Sequence, residues 1–184
     1  MQAIMKPTLP LLILAASVLM FCSAGCNRNR SKANATIEEA APLQTEQIML
    51  EANDPAASVQ LIKGFHTLEQ GRYRWTMGQF SVILRPPVQA SERGARLILQ
   101  LGIPESSIRK LKSMKLSASV DGVALPEETY TKPGGYFYSR DVPPQALAKR
   151  VVAVNFKLDK CLPPGDSDRR ELGVVMTSVG FEAK

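Results

Sequence analysis

Ala95-Arg-Leu-Ile-Leu-Gln-Leu-Gly102, Met114-Lys-Leu-Ser-Ala-Ser-Val-Asp121 and Val151-Val-Ala-Val-Asn-Phe-Lys-Leu158 are the stretches that decide the fold. In each, apolar side chains return at every second position: Leu97, Leu99 and Leu101; Leu116, Ala118 and Val120; Val152, Val154 and Phe156. A period of two sets them on one face of a strand, whereas a helix would need a period of 3.6. One apolar and one wetter face per strand is the signature of antiparallel sheets packed face to face.

The same alternation recurs over residues 59–65, 72–76, 80–85, 135–140 and 173–182, where Val175, Val179 and Phe181 share a face. Gly, Pro, Asp or Ser bound each segment. Asp121-Gly122 is a two-residue hairpin signal that joins Val120 to Val123. Residues 105–111, after Pro104, and 144–149 read as short helical turns. Seven or eight strands in the body, residues 58–184, predict an all-β antiparallel sandwich of jelly-roll type. The Cys pair of immunoglobulin domains is absent.

Working outward to the N-terminus, Lys6 precedes the apolar run Leu11 to Cys22, then Ser23-Ala24-Gly25-Cys26 and the polar Asn27-Arg28-Asn29-Arg30. A positive start, an apolar stretch shorter than the roughly 20 residues of a bilayer span, and small residues at its end describe a secretory signal over residues 1–25. Ser-Ala-Gly-Cys resembles a bacterial lipobox, which implies cleavage before Cys26, acylation of its sulfur and a membrane-anchored, exported chain. Asn27 after Cys26, in place of Asp, resembles the outer-membrane sorting pattern of some Gram-negative lipoproteins. Residues 26–57, rich in Asn, Ala, Glu, Gln and Pro and without an aromatic, are expected to form a flexible linker. Thr36-Ile-Glu-Glu39 has capping-box spacing, but Pro42 limits any helix there. Cys161 is then the one thiol left in the body, expected to be buried and inert.

The chain carries 23 Lys+Arg against 17 Asp+Glu, a net charge of +6, with the basic residues scattered and Arg28 and Arg30 beside the expected anchor. That distribution suits anionic lipid and not nucleic acid. One His, His66, and no Cys pair at ligand spacing argue against a zinc site. No Gly-x-Ser-x-Gly elbow and no Walker-type phosphate loop occur, so no cofactor is expected. Glu69, Asp121, Glu127, Glu128, Asp159 and Glu171 supply carboxyls for glycoside hydrolysis, but linear order pairs none of them.

Gly64-Phe65-His66-Thr67-Leu68-Glu69, Tyr73-Arg74-Trp75-Thr76 and Asp168-Arg-Arg-Glu-Leu-Gly-Val-Val175 together resemble the small galactose-binding-like β-sandwich domains that accompany bacterial glycosyltransferases. The resemblance runs from Gly64 to about Phe181. It implies a jelly roll and a non-catalytic glycan ligand, with an envelope or secretion protein as the alternative partner.

Several residues then have two readings. Trp75 is either a stacking platform for a sugar ring or a core residue closing the sandwich. Arg72 and Arg74, on the opposite face of that strand, either fork onto an acidic group or are solvated. Tyr136 and Tyr138 share a face with Phe137 opposite, so either the tyrosine pair or the phenylalanine points outward. Asp168 and Arg170, in the densest charged cluster of the body, either contact a ligand or brace a turn after Pro163-Pro164-Gly165.

Overall fold

The computed structural model describes residues 46–184. The expected signal, the expected acylation site at Cys26, most of the expected linker and the capping-box spacing at Thr36 lie outside the described residues.

Nine strands run in the order β1 (Met49–Glu51), β2 (Leu61–Glu69), β3 (Tyr73–Leu84), β4 (Ala95–Ile103), β5 (Met114–Val120), β6 (Val123–Tyr130), β7 (Gly134–Val142), β8 (Val152–Leu158) and β9 (Val175–Ala183). Two short helices, α1 (Ala90–Arg93) and α2 (Glu105–Leu111), flank β4. All pairings are antiparallel.

The continuous order β6-β5-β8-β3-β9-β4-β7 resolves into two sheets because β3 serves both. Its C-terminal half, from Gln79 to Leu84, pairs with β8, while Arg74 and Trp75 pair with β9. One sheet is therefore β6-β5-β8-β3 and the other β3-β9-β4-β7, the alternating order of a jelly roll. The sandwich predicted from period-two patterning is what forms.

The corner lies at Thr76 to Gly78. Thr76 N–H donates to Val174 O at 2.8 Å, Gly173 N–H to Thr76 O at 2.7 Å, and Gly78 N–H to the Glu171 carboxylate at 2.6 Å. A Cβ on Gly173 would lie 2.6 Å from Met77 O and 2.7 Å from Leu158 Cδ1, so only glycine lets the two segments approach this closely. Thr76 is fully buried, and its hydroxyl accepts from the buried Val174 N–H at 3.1 Å. Thr76→Val keeps the shape and orphans that donor, which costs about 1–3 kcal/mol. The expected result is a lower urea midpoint with an unchanged m-value.

Between the sheets, Phe156 of β8 stacks on Phe80 of β3 with centroids 4.8 Å apart and meets Tyr138 of β7 edge-on at 6.4 Å. The inward faces Leu97/Leu99/Leu101, Leu116/Ala118/Val120 and Val152/Val154/Phe156 are all buried, as their alternation requires. Asp121 and Gly122 both have positive φ, 47° and 88°, the geometry of the hairpin turn expected between Val120 and Val123.

Three readings need correction. The linker does not extend to residue 57: β1 pairs with β9, and Asp54 caps a 3-10 turn at Pro55–Val59 by accepting from Ala56 N–H at 2.8 Å. A three-residue strand is too short to show a period. Second, residues 72–76 and 80–85 are not two strands but one, β3, bent at Gly78. Third, β6 escapes the alternation test because Pro126 interrupts it; such a residue is tolerated on this edge strand.

Candidate functional site

Strand parity decides which residues of the second sheet face outward. In β4 the odd positions are buried, so Arg96, Ile98, Gln100 and Gly102 face out; in β7 Tyr138 and Val142 are buried, so Gly135, Phe137 and Ser139 face out. Register then lines these up across the sheet. Phe137 stands opposite Gln100, which stands opposite Ser178; Gly135 stands opposite Gly102, which stands opposite Val175, which stands opposite Trp75. Directly paired residues share a face. The outer surface thus carries a row Trp75, Val175, Gly102, Gly135, with Phe137 beside its last member.

Two adjacent glycines leave the floor of this row bare. A Cβ on Gly135 would meet nothing within 4 Å, and one on Gly102 would meet only Val175 at 3.6 Å. Neither has positive φ. Backbone geometry does not require glycine here, so the missing side chains read as room for a close approach. The result is a hollow of about 320 Å³ lined by Gln100, Gly102, Gly135, Tyr136, Val175 and Thr177, with Phe137 as one wall. Phe137 is 65% exposed, and it also walls a second hollow of about 400 Å³ toward Glu51, Arg96 and Glu182.

Polar groups surround the aromatic. Ser178 Oγ donates to Gln100 Oε1 at 3.3 Å, which holds the side-chain amide, and Thr177 Oγ1 donates to the Gln100 backbone carbonyl at 3.3 Å. Lys184 and Arg96 both pair with Asp141, at 3.1 and 3.4 Å, and the Lys184 hydrogen bond leads in holding that carboxyl below its usual range. Among the described residues Glu51 and Glu182 have no ion-pair partner within 4 Å, so this face has unpaired negative charge.

The residues singled out from sequence are not all brought here. Trp75 lies on the outer face at the far end of the row and is half-buried, outside the core cluster. Tyr136 edges the first hollow; its hydroxyl donates to Lys132 O at 2.9 Å and its ring leans on Tyr130. Tyr138 is a correction: it is fully buried, donates to Pro126 O at 2.8 Å, and has its pKa pushed up to about 12 by burial. Phe137, not the tyrosine pair, is the exposed aromatic.

Arg72 lies in the β2–β3 turn, reaching Gln70 at 3.4 Å, away from the row. Arg74 is also a correction, because its guanidinium is used internally, donating to Ala52 O at 3.0 Å and His66 O at 3.2 Å. Asp168 and Arg170 form the brace. Arg170 Nε and Nη2 grip Asp168 at 3.0 and 2.9 Å, its Nη1 reaches Glu69 at 2.6 Å, and Asp168 accepts from Arg170 N–H. Arg170's grip lowers the Asp168 pKa to about 2. Three of the five guanidinium N–H donors are thus spent on the two carboxylates. Nearby Cys161 is half-buried, its thiol pKa raised first by desolvation and then by Glu171, which keeps it protonated.

No family model and no curated protein matches this chain. Among solved structures, it is similar to a family 35 carbohydrate-binding module from Clostridium thermocellum, at 14% identity and TM-score 0.43, over 73% of this chain and 98% of that one. It is also similar to the CBM51-2 and INT domains of Clostridium perfringens ZmpB, at 13% identity and TM-score 0.36, over 74% of this chain and 28% of that one. A CBM4 structure is similar at 13% identity and TM-score 0.32, over 79% of this chain and 88% of that one. With every score below 0.5, the fold assignment rests on the strand order itself.

Proposed function

We propose that the chain is a non-catalytic, lipid-anchored envelope protein that binds a glycan on the outer face of the β3-β9-β4-β7 sheet. The observation that carries this reading is the bare Gly102–Gly135 strip beside the exposed Phe137. A sugar ring offers an apolar C–H face and a polar rim, and an aromatic wall with Gln100 and Thr177 at its foot meets both needs. Trp75, three strand spacings or roughly 14 Å from Gly135, marks the far end of a track across the strands.

The charge of the face favours a neutral or amino sugar over a uronic acid. Arg74 is engaged internally and Arg96 on this face is shared with Asp141, while Glu51 and Glu182 face the track without an ion-pair partner. In this reading Cys26 is acylated and Asn27 behind it sorts the chain to the outer membrane, where an envelope polysaccharide is within reach.

A glycan array of neutral, amino and acidic sugars, probed with the purified chain and with Gly135→Leu, tests the reading. Saturable binding to neutral or amino glycans is expected, weakened at least about tenfold when Leu fills the hollow, with the unfolding midpoint unchanged. Absence of binding in every class overturns it and points to a protein partner for this face.

A further inference from the structure

The opposite end of the molecule carries a different feature. Val88, 83% exposed, is the most exposed large apolar residue of the described chain. It sits on the tip of loop 86–89, which Pro86-Pro87 and a left-handed Gln89 (φ 64°) hold in one shape. The loop shares a surface recess with Arg85, Lys149 and Arg150. Lys149 pairs with Asp121 and Arg150 with Glu46, each at 2.8 Å, yet in both pairs the cation is the outward partner: 66% against 28% exposed, and 79% against 30%. Arg85 and Arg93 add two exposed guanidiniums, against one exposed carboxylate, Glu92. A flat surface meeting this end therefore touches an apolar tip inside a basic collar.

The chain also enters here. Glu46 is the Arg150 partner, and Gln47 O accepts from Arg85 N–H at 3.1 Å. The residues that precede Glu46 in sequence include the apolar run 11–22 and Cys26. We infer that loop 86–89 with Arg85, Lys149 and Arg150 is a docking surface for an anionic lipid bilayer, which sets the sandwich end-on to the membrane. Val88 enters the headgroup boundary while the cations meet lipid phosphates, the division of labour seen wherever a polypeptide lies on a membrane. The inference goes beyond the glycan reading and uses the anchor only for proximity.

The parent has one tryptophan, Trp75, at the far end of the bent β3 from Arg85, ten residues and so at most roughly 30 Å away. A Val88→Trp variant of the full chain adds a second at the loop tip, where an 83% exposed site tolerates it. Both chains are mixed with vesicles of brominated phosphatidylcholine, alone or with phosphatidylglycerol. The expected result is at least a twofold greater loss of emission for Val88→Trp than for the parent, in the anionic vesicles only, and its disappearance when Lys149→Gln and Arg150→Gln are added. Quenching no greater than the parent's, or equal quenching in zwitterionic vesicles, overturns the docking. Flotation of the same samples reads the lipid anchor separately, so either reading can fail alone.

Discussion

Phe137→Ala is expected to weaken glycan binding by at least about tenfold, or about 1.4 kcal/mol, while leaving the fold untouched. The two halves of this expectation come from one number. At 65% exposed, the ring contributes little to the core, so its removal shifts stability by no more than about 0.5 kcal/mol. The same ring is the shared wall of both hollows, and aromatic anchors of this sort dominate binding energies. Titration calorimetry against the best array glycan gives the affinity, and thermal unfolding gives the control. Phe137→Tyr, which keeps the aromatic face, is expected to retain binding. Parent-like affinity in Phe137→Ala would remove the site from this face.

Phe156→Ala has the opposite profile, a stability loss of about 3–5 kcal/mol. Phe156 stacks on Phe80 within its own sheet and meets Tyr138 from the other, so its ring is a joint between the two layers. Truncation leaves a cavity floored by β8, which is paired with β3 on one side and β5 on the other and cannot close it by a small shift. Against a total of about 5–15 kcal/mol for an ordinary domain, this removes a large share. Urea unfolding followed by circular dichroism is expected to show the midpoint falling steeply. A loss under about 1 kcal/mol would mean that the sheets repack more freely than their interlock implies.

Much of this architecture was legible in the residues. Leu97, Leu99 and Leu101 had to share a face because strand geometry alternates, and Asp121-Gly122 had to turn because both backbones tolerate positive φ. These are local facts, and local facts survive in a sequence. The short β1 and the bent β3 were not legible. Their strands are created by partners more than 90 residues away, as Leu50 is by Val179 and Thr76 by Val174.

The candidate site divides along the same line. Parity alone required that Phe137 and the tyrosine pair face opposite ways, and sequence could go no further, because both sides are aromatic. Burial of Tyr138 against Phe156 made the choice. Gly102 and Gly135 read as strand ends when taken singly; they become a strip only because β4 and β7 pair in a register that sets them opposite each other. Asp168 and Arg170 read as a ligand contact or a brace from sequence, and the brace shows only once Glu69 is brought in from β2 to the Arg170 guanidinium.

By itself, then, the chain determined its period, its turns and which side chains share a face, since each follows from backbone geometry within a few residues. Which face is inside, which glycines meet and which arginines are already occupied were decided by tertiary structure. Those properties belong to pairs of residues distant in sequence, and close packing alone brings such pairs together.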